Sequence, residues 1–266
     1  MEPLQTMIFP KMHSTGLMYS DLLRARANVY NAQRGTLTGY HCDKCNDKGI
    51  IAFVEEEQEI MRPCSCMKIR DTLRRIRESG LADLLRTCTF ANFEAEQLFQ
   101  QRMKQSAVDF LQQRHKWFFI GGQSGCGKTH ICTALVGGFI KLGFSVRYLV
   151  WQEDAARLKT ALINGSYAAE LLPYKKADVL YLDDLFKAKN GQMQDISNAD
   201  IKLAFELLDY RCRNQMLTVL STEWTTAQLV EIDEAIAGRI IHMARGYTIC
   251  VKKDRSKNYR LKEVQP

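Results

Sequence analysis

No apolar stretch in this chain approaches the roughly 18 to 20 uninterrupted residues that a membrane-spanning helix requires. The first thirty residues also lack the basic segment and apolar core of a secretory signal. These two absences exclude a helical membrane protein and a signal-directed secreted one, so the expected location is the cytoplasm, with no membrane partner. There is no internal repeat and no low-complexity tract, which excludes a repeat array and a disordered linker protein. A disulfide framework is excluded as well, because nine cysteines in a reducing compartment stay as thiols, and clustered ones then point to metal or catalysis.

What remains is an ordinary globular composition, 46% apolar and 25% charged over 266 residues. That length suits one large α/β domain and a smaller module. The net charge of +7 fits either a polyanionic partner or plain solubility. It is concentrated in Lys252 to Lys262, with six Lys/Arg against Asp254 alone, and in Lys68 to Arg77. Either run could contact nucleic acid or form a solvated face.

Apolar periodicity predicts a helix over Leu17 to Tyr30, starting near Ser20 or Asp21, which is either a docking arm or a helix packed on its own domain. Residues 40 to 66 are rich in cysteine and charge, and Met67 to Leu85 reads as a helix that ends or breaks near Gly80. The composition then shifts, which predicts a boundary near residue 88. Beyond it, strands are expected at Trp117 to Ile120, Val146 to Trp151, Val179 to Leu182, Leu217 to Ser221 and Tyr247 to Val251. Helices are expected at Lys128 to Leu142, Gln152 to Asn164, Asn198 to Arg213 and Thr226 to Met243. This alternation predicts a parallel sheet covered on both faces.

Gly122-Gln123-Ser124-Gly125-Cys126-Gly127-Lys128-Thr129 matches the phosphate-binding P-loop pattern in full, between a predicted strand and a predicted helix. The glycines let backbone N–H groups wrap a phosphate, and the helix beginning at Lys128-Thr129-His130 turns its positive end toward the anion. Lys128 would reach the β and γ phosphates of ATP, and the Thr129 hydroxyl would ligate Mg²⁺. Cys126, inside this loop, is the thiol expected to be sensitive to oxidation.

Val179 to Asp184 is an apolar strand ending in two carboxylates, where the C-terminal edge of a parallel sheet meets the loop. Asp183 would hold Mg²⁺, and Asp184 would orient or deprotonate the attacking water. Leu217 to Thr222 is a strand ending in hydroxyls, so Thr222 is a candidate to hold that water or sense the γ-phosphate, with strand-end capping as the alternative.

Cys42-x₂-Cys45 and Cys64-x-Cys66 provide four thiols in two knuckles, as tetrahedral Zn²⁺ prefers. Asp47-Lys48-Gly49 can form the turn that aims the first pair, with a hairpin of Ile50 to Val54 and Gln58 to Met61 between the pairs. A redox dithiol and unliganded cysteines are the alternatives. His41 adjoins Cys42 but as a sequence neighbour is poorly placed for the same ion. Cys88, Cys126, Cys132, Cys212 and Cys250 are dispersed and read as buried packing residues.

Taken together the chain resembles the DnaC/DnaI-type helicase loaders, a branch of the AAA+ ATPases that also contains the IstB transposition helpers. The resemblance is carried by the P-loop, Asp183-Asp184, the stretch Ser221 to Ile240, Asn258-Tyr259-Arg260 and the segment Thr89 to Phe93. It implies an AAA+ P-loop ATPase core over residues 89–266, preceded by a zinc-binding, helicase-contacting module over 1–88. It implies that Arg239 is an arginine finger acting on a neighbouring subunit, so that the protein works as a homo-oligomer through its ATP sites, and that Arg260 is a sensor arginine for its own nucleotide. It further implies a DnaB-type replicative helicase and single-stranded DNA as partners. The IstB-like alternative is an ATPase helper of a DNA transposase. A small-molecule kinase and a non-hydrolysing adaptor are the readings from other classes.

Overall fold

The computed structural model describes residues 19–78, 81–114, 116–187 and 190–262. The chain divides into two compact units, one ending at Met67 and one beginning at Lys68.

In the smaller unit, α1 (Tyr19–Ala32) lies against a hairpin of β1 (Ile50–Glu55) and β2 (Gln58–Pro63). The start of the helix expected from Leu17 lies outside the described residues. Leu23 and Ala27 are the buried side of α1. Its C-terminal end is tied to the hairpin by Asn31, whose Nδ2 donates to Ala52 O and whose Oδ1 accepts from Ala52 N, both at 2.9 Å. Lys48 Nζ donates to the carbonyls of Tyr30 and Gln33, capping the last turn. The antiparallel register runs from Ile50 opposite Pro63 to Glu55 opposite Gln58. It leaves Glu56 and Glu57 as a two-residue turn with both φ positive, as the twist of a tight hairpin demands.

The larger unit continues α2 (Cys66–Glu78) and holds α3 (Leu81–Thr87), α4 (Leu98–Gln113), β3 (Trp117–Gly122), α5 (Lys128–Lys141), β4 (Val146–Val150), α6 (Trp151–Ile163) and α7 (Tyr167–Lys176). It then runs through β5 (Val179–Asp183), α8 (Asn198–Arg213), β6 (Leu217–Ser221), α9 (Thr226–Ile232), α10 (Glu234–Met243), β7 (Thr248–Val251) and α11 (Tyr259–Lys262). The five strands form one parallel sheet in the order β4-β5-β6-β3-β7. Every residue of β3 and β5 is buried, which is why these strands read as unbroken apolar runs.

Side-chain alternation sends Trp117, Phe119, Leu180 and Leu182 into a core shared with α6, α8 and α10. Phe118 points the other way and meets Phe110 of α4, which in turn packs edge-on to Phe139 of α5. The sheet is thus covered on both faces, as expected.

Three features depart from the expected elements. Helices α4 and α7 carry no prediction; α7 is disguised by Gly165 before it and by Pro173 inside it. The run Thr226 to Met243 is two helices, because Asp233 takes an extended conformation and its carboxylate caps α10 at Ile236 N, 2.8 Å away. Finally, the compact units part after Met67 rather than near residue 88. Thr72 Oγ1 accepts from Val146 N at 3.1 Å and Asp71 pairs with Arg147, while α3 packs on α5, so this stretch folds with the sheet.

Candidate nucleotide site

The P-loop links the C-terminal end of β3 to the first turn of α5. Lys128 is buried, and its Nζ donates to the carbonyls of Gly122 and Gln123 at 2.8 Å each. Gly125 sits at φ +74°, and a Cβ there would strike the Asn258 side chain. The chain after β7 is strapped across this loop. Tyr259 N donates to Gly125 O at 2.9 Å, and the Gln123 amide both donates to Asp254 O and accepts from Asp254 N. On the other side Phe93 stacks edge-on with His130 at 5.1 Å, and the His130 Nε2 is 2.9 Å from Thr89 O.

Strand β6 lies between β3 and β5, so its C-terminal hydroxyls reach the carboxylates of β5. Ser221 Oγ donates to Asp183 Oδ1 and accepts from Asp184 N, and Tyr148 of β4 donates to Asp183 Oδ2 at 3.0 Å. Burial pushes the Asp183 carboxyl above its ordinary value, although these hydroxyls oppose the shift. Asp184 is left-handed at φ 55° and pairs with Lys187 Nζ at 2.6 Å.

These elements enclose a cavity of about 370 Å³. The loop contributes Ser124, Gly125, Gly127, Lys128, Thr129 and His130. Asn92, Phe93 and Glu94 form one wall, Asp184, Lys187 and Glu223 another, and Tyr259 and Arg260 a third. Asp183 is buried next to Asp184. Arg260 lines the same cavity as the loop of its own chain.

Two expectations are corrected. Thr222 is wholly buried; its hydroxyl donates to Leu185 O at 2.6 Å and accepts from Trp224 N, so it shapes the backbone while Glu223 faces the cavity. Cys126 is buried, and burial raises its thiol pKa, which makes it a poor nucleophile rather than an oxidation-sensitive one. Of the other dispersed cysteines only Cys132 is buried, while Cys88 and Cys212 are half-buried and Cys250 is exposed.

Lys187 and Tyr148 had no signal in the sequence, whereas Glu223 adjoins Thr222, the residue expected to make the polar contact. Lys187 follows Asp184 by three residues, and Tyr148 reaches Asp183 from a neighbouring strand.

Arg239 does not line this cavity. Its Nε and Nη2 donate to Asp209 Oδ1 at 2.9 and 2.7 Å, and the guanidinium lies over the Phe205 ring at 4.5 Å.

In the smaller unit, the sulfurs of Cys42, Cys45, Cys64 and Cys66 all lie within 4.8 Å of one another. Cys42 and Cys64 are 3.8 Å apart, and Cys45 and Cys66 3.6 Å. Four sulfurs held tetrahedrally at about 2.3 Å from one ion are separated by about 3.8 Å, so the donor set fits Zn²⁺. Burial opposes ionisation of Cys45, but the Gly49 N–H and the neighbouring thiols outweigh it and bring the pKa to about 7. His41 stands outside the cluster, held between Asp43 and Asp47 at 2.8 and 2.9 Å, and those carboxylates raise its pKa.

The sequence model of the IstB-like ATP binding protein family matches residues 59–265. The phage-like element PBSX protein XkdC of Bacillus subtilis (strain 168) is 31% identical over 239 residues, 85% of this chain and 88% of its own. The insertion sequence IS232 putative ATP-binding protein of Bacillus thuringiensis subsp. berliner is 29% identical over 170 residues, 62% of this chain and 65% of its own. Among solved structures, that of the DnaC helicase loader superposes with a TM-score of 0.52 at 17% identity, over 63% of this chain and 97% of its own. The last likeness is one of fold, that of the AAA+ P-loop ATPases.

Proposed function

Since this chain belongs to the family of IstB-like ATP-binding proteins, we propose that its cavity binds ATP with Mg²⁺ and hydrolyses it to ADP and phosphate. The observation that carries this reading is the meeting of the P-loop, Asp184 and Arg260 in one cavity. Lys128 and the loop N–H groups hold the β and γ phosphates. Thr129 and Asp183 would hold Mg²⁺, which when bound would offset phosphate charge. Asp184 orients the attacking water and takes its proton. Asn92 to Glu94, with the Phe93 ring, and Tyr259 provide surface for the nucleoside.

Asp184→Asn is expected to retain ATP binding and lose turnover by about a hundredfold or more. Turnover at the wild-type rate in that variant would remove Asp184 from the mechanism.

The biological reading we favour is a loader that places a DnaB-type replicative helicase on single-stranded DNA, with residues 68–266 as the ATPase and residues 1–67 as the helicase contact. The four-cysteine centre supports it, as a compact module held by zinc. Arg239 suits an oligomer in that it does not line its own cavity; to serve a neighbouring one as a finger it would exchange its pairing with Asp209 for the neighbour's phosphate. The second reading, an ATPase helper of a transposase, is favoured by the family match itself and by the IS232 relative. Pull-down with a replicative helicase separates them: capture by the full chain and none by a chain lacking residues 1–67 supports the loader. Capture of a transposase alone supports the helper, and helicase capture that survives truncation overturns the division of labour.

A further inference from the structure

The loop after Asp184 is fixed more firmly than a connection needs. Asp184 and Phe186 are both left-handed without being glycine, at φ 55° and 58°. The carbonyls of Leu185 and Phe186 are both captured from the turn after β6: Thr222 Oγ1 donates to Leu185 O at 2.6 Å, and the Trp224 indole Nε1 to Phe186 O at 2.9 Å. Leu185 N donates to Ser221 O, and Lys187 N closes the turn on Asp184 O, both at 2.9 Å. These contacts hold the strained residues and set where the Lys187 side chain begins. Its ammonium arrives in the nucleotide cavity, 2.6 Å from Asp184 Oδ2 and 3.9 Å from Glu223 Oε1.

An ammonium has three donors. Asp184 takes one, and Glu223, beyond hydrogen-bond length, acts on it by charge. The same cavity is also lined by Lys128, Thr129 and Arg260. A third acceptor brought into that cavity would meet a cation already aimed and already paired.

We propose that Lys187 is a further catalytic residue of this site, whose ammonium bridges Asp184 to the terminal phosphate of a bound nucleoside triphosphate. The inference rests on the ATP reading above. In the reaction, the water oxygen bonds to the γ-phosphorus, the bond to the β–γ bridging oxygen breaks with its electron pair leaving on the diphosphate, and the water proton passes to Asp184. Lys187 keeps one oxygen of that carboxylate engaged, so the other faces the water, and it offsets charge on the γ-phosphate oxygens. A diphosphate has no such oxygens, so Lys187 distinguishes ATP from ADP.

The test measures binding of fluorescent N-methylanthraniloyl derivatives of AMP-PNP and of ADP to the full chain and to its Lys187→Met and Lys187→Arg variants, with thermal melts confirming the fold. A charge-assisted hydrogen bond corresponds to about a tenfold change in affinity or more. The expected pattern is about a tenfold loss for the AMP-PNP probe in Lys187→Met, ADP affinity within about twofold, and partial recovery in Lys187→Arg. Equal losses for both probes, or no change in either, would overturn the role of Lys187. Failure of the wild-type chain to bind either probe would instead reject the ATP reading from which the inference starts.

Discussion

Arg211 of α8 is wholly buried, and among the described residues its guanidinium has no carboxylate partner at hydrogen-bond distance. It donates instead to Thr218 Oγ1 and to the carbonyls of Tyr174, Lys175, Ala177 and Leu217, closing the C-terminal end of α7 where carbonyls lack helical partners. Burial lowers its pKa to about 9. Lysine cannot reproduce the planar fork. Arg211→Lys and Arg211→Met are both expected to lose about 2 to 4 kcal/mol, read from urea unfolding midpoints. A Lys variant as stable as wild type would show that charge alone suffices.

Asp183 presents the opposite balance. Its pKa is raised in the fold, above the unfolded reference of 3.8, so the folded state binds its proton more tightly than the unfolded chain does. Its contribution to stability is therefore complete below the unfolded value and is lost as pH rises through the folded one. Asp183→Asn should melt higher than wild type at neutral pH, and the gap should narrow as pH falls toward 3.8. A gap that does not change with pH would exclude ionisation as its cause. Stability surrendered at a buried carboxylate is the usual cost of a working site.

At the scale of elements, the hairpin β1–β2 and helix α1 enclose few apolar side chains, with Leu23, Ala27 and Ala52 buried beside the four cysteines. So small a core contributes little folding free energy by itself, and a bound ion would provide much of it. Chelation, or Cys45→Ser, is expected to abolish slow amide exchange in β1 and β2. Protection that persists after chelation with all four thiols titratable would make the cluster an unliganded one. Helix α7 shows the converse case of an element created by its surroundings. Pro173 removes one of its hydrogen bonds and Gly165 precedes it, yet buried Leu171 and the Arg211 cap hold it in place. That dependence is why local sequence gave no sign of it.

For the molecule as a whole, the decisive question is whether one chain suffices. The cavity holds Lys128, Asp184 and Arg260 of the same chain, whereas Arg239 on α10 is paired with Asp209 away from it. If Arg239 acts on a neighbour, Arg239→Ala and Asp184→Asn chains are each inactive alone, and mixing them restores part of the turnover because some interfaces then combine an intact Asp184 with an intact Arg239. Turnover that is independent of protein concentration and indifferent to Arg239→Ala would mean a site complete in one subunit.

The strands, the loop from Gly122 to Thr129, the carboxylates Asp183 and Asp184, and the paired cysteines were all readable along the chain, because each depends on spacing within a few residues. A buried parallel strand must be apolar throughout, a phosphate loop must have glycine at fixed offsets, and a thiolate knuckle must bring two sulfurs within reach of one ion. Tertiary structure decided what spacing cannot express. By inserting β6 between β3 and β5 it made Thr222 a buried brace and Glu223 a cavity wall. It folded Asn258 to Arg260 back over Gly125. It also brought the Lys187 ammonium to Asp184, a juxtaposition that depends on two left-handed residues and two captured carbonyls rather than on any periodicity.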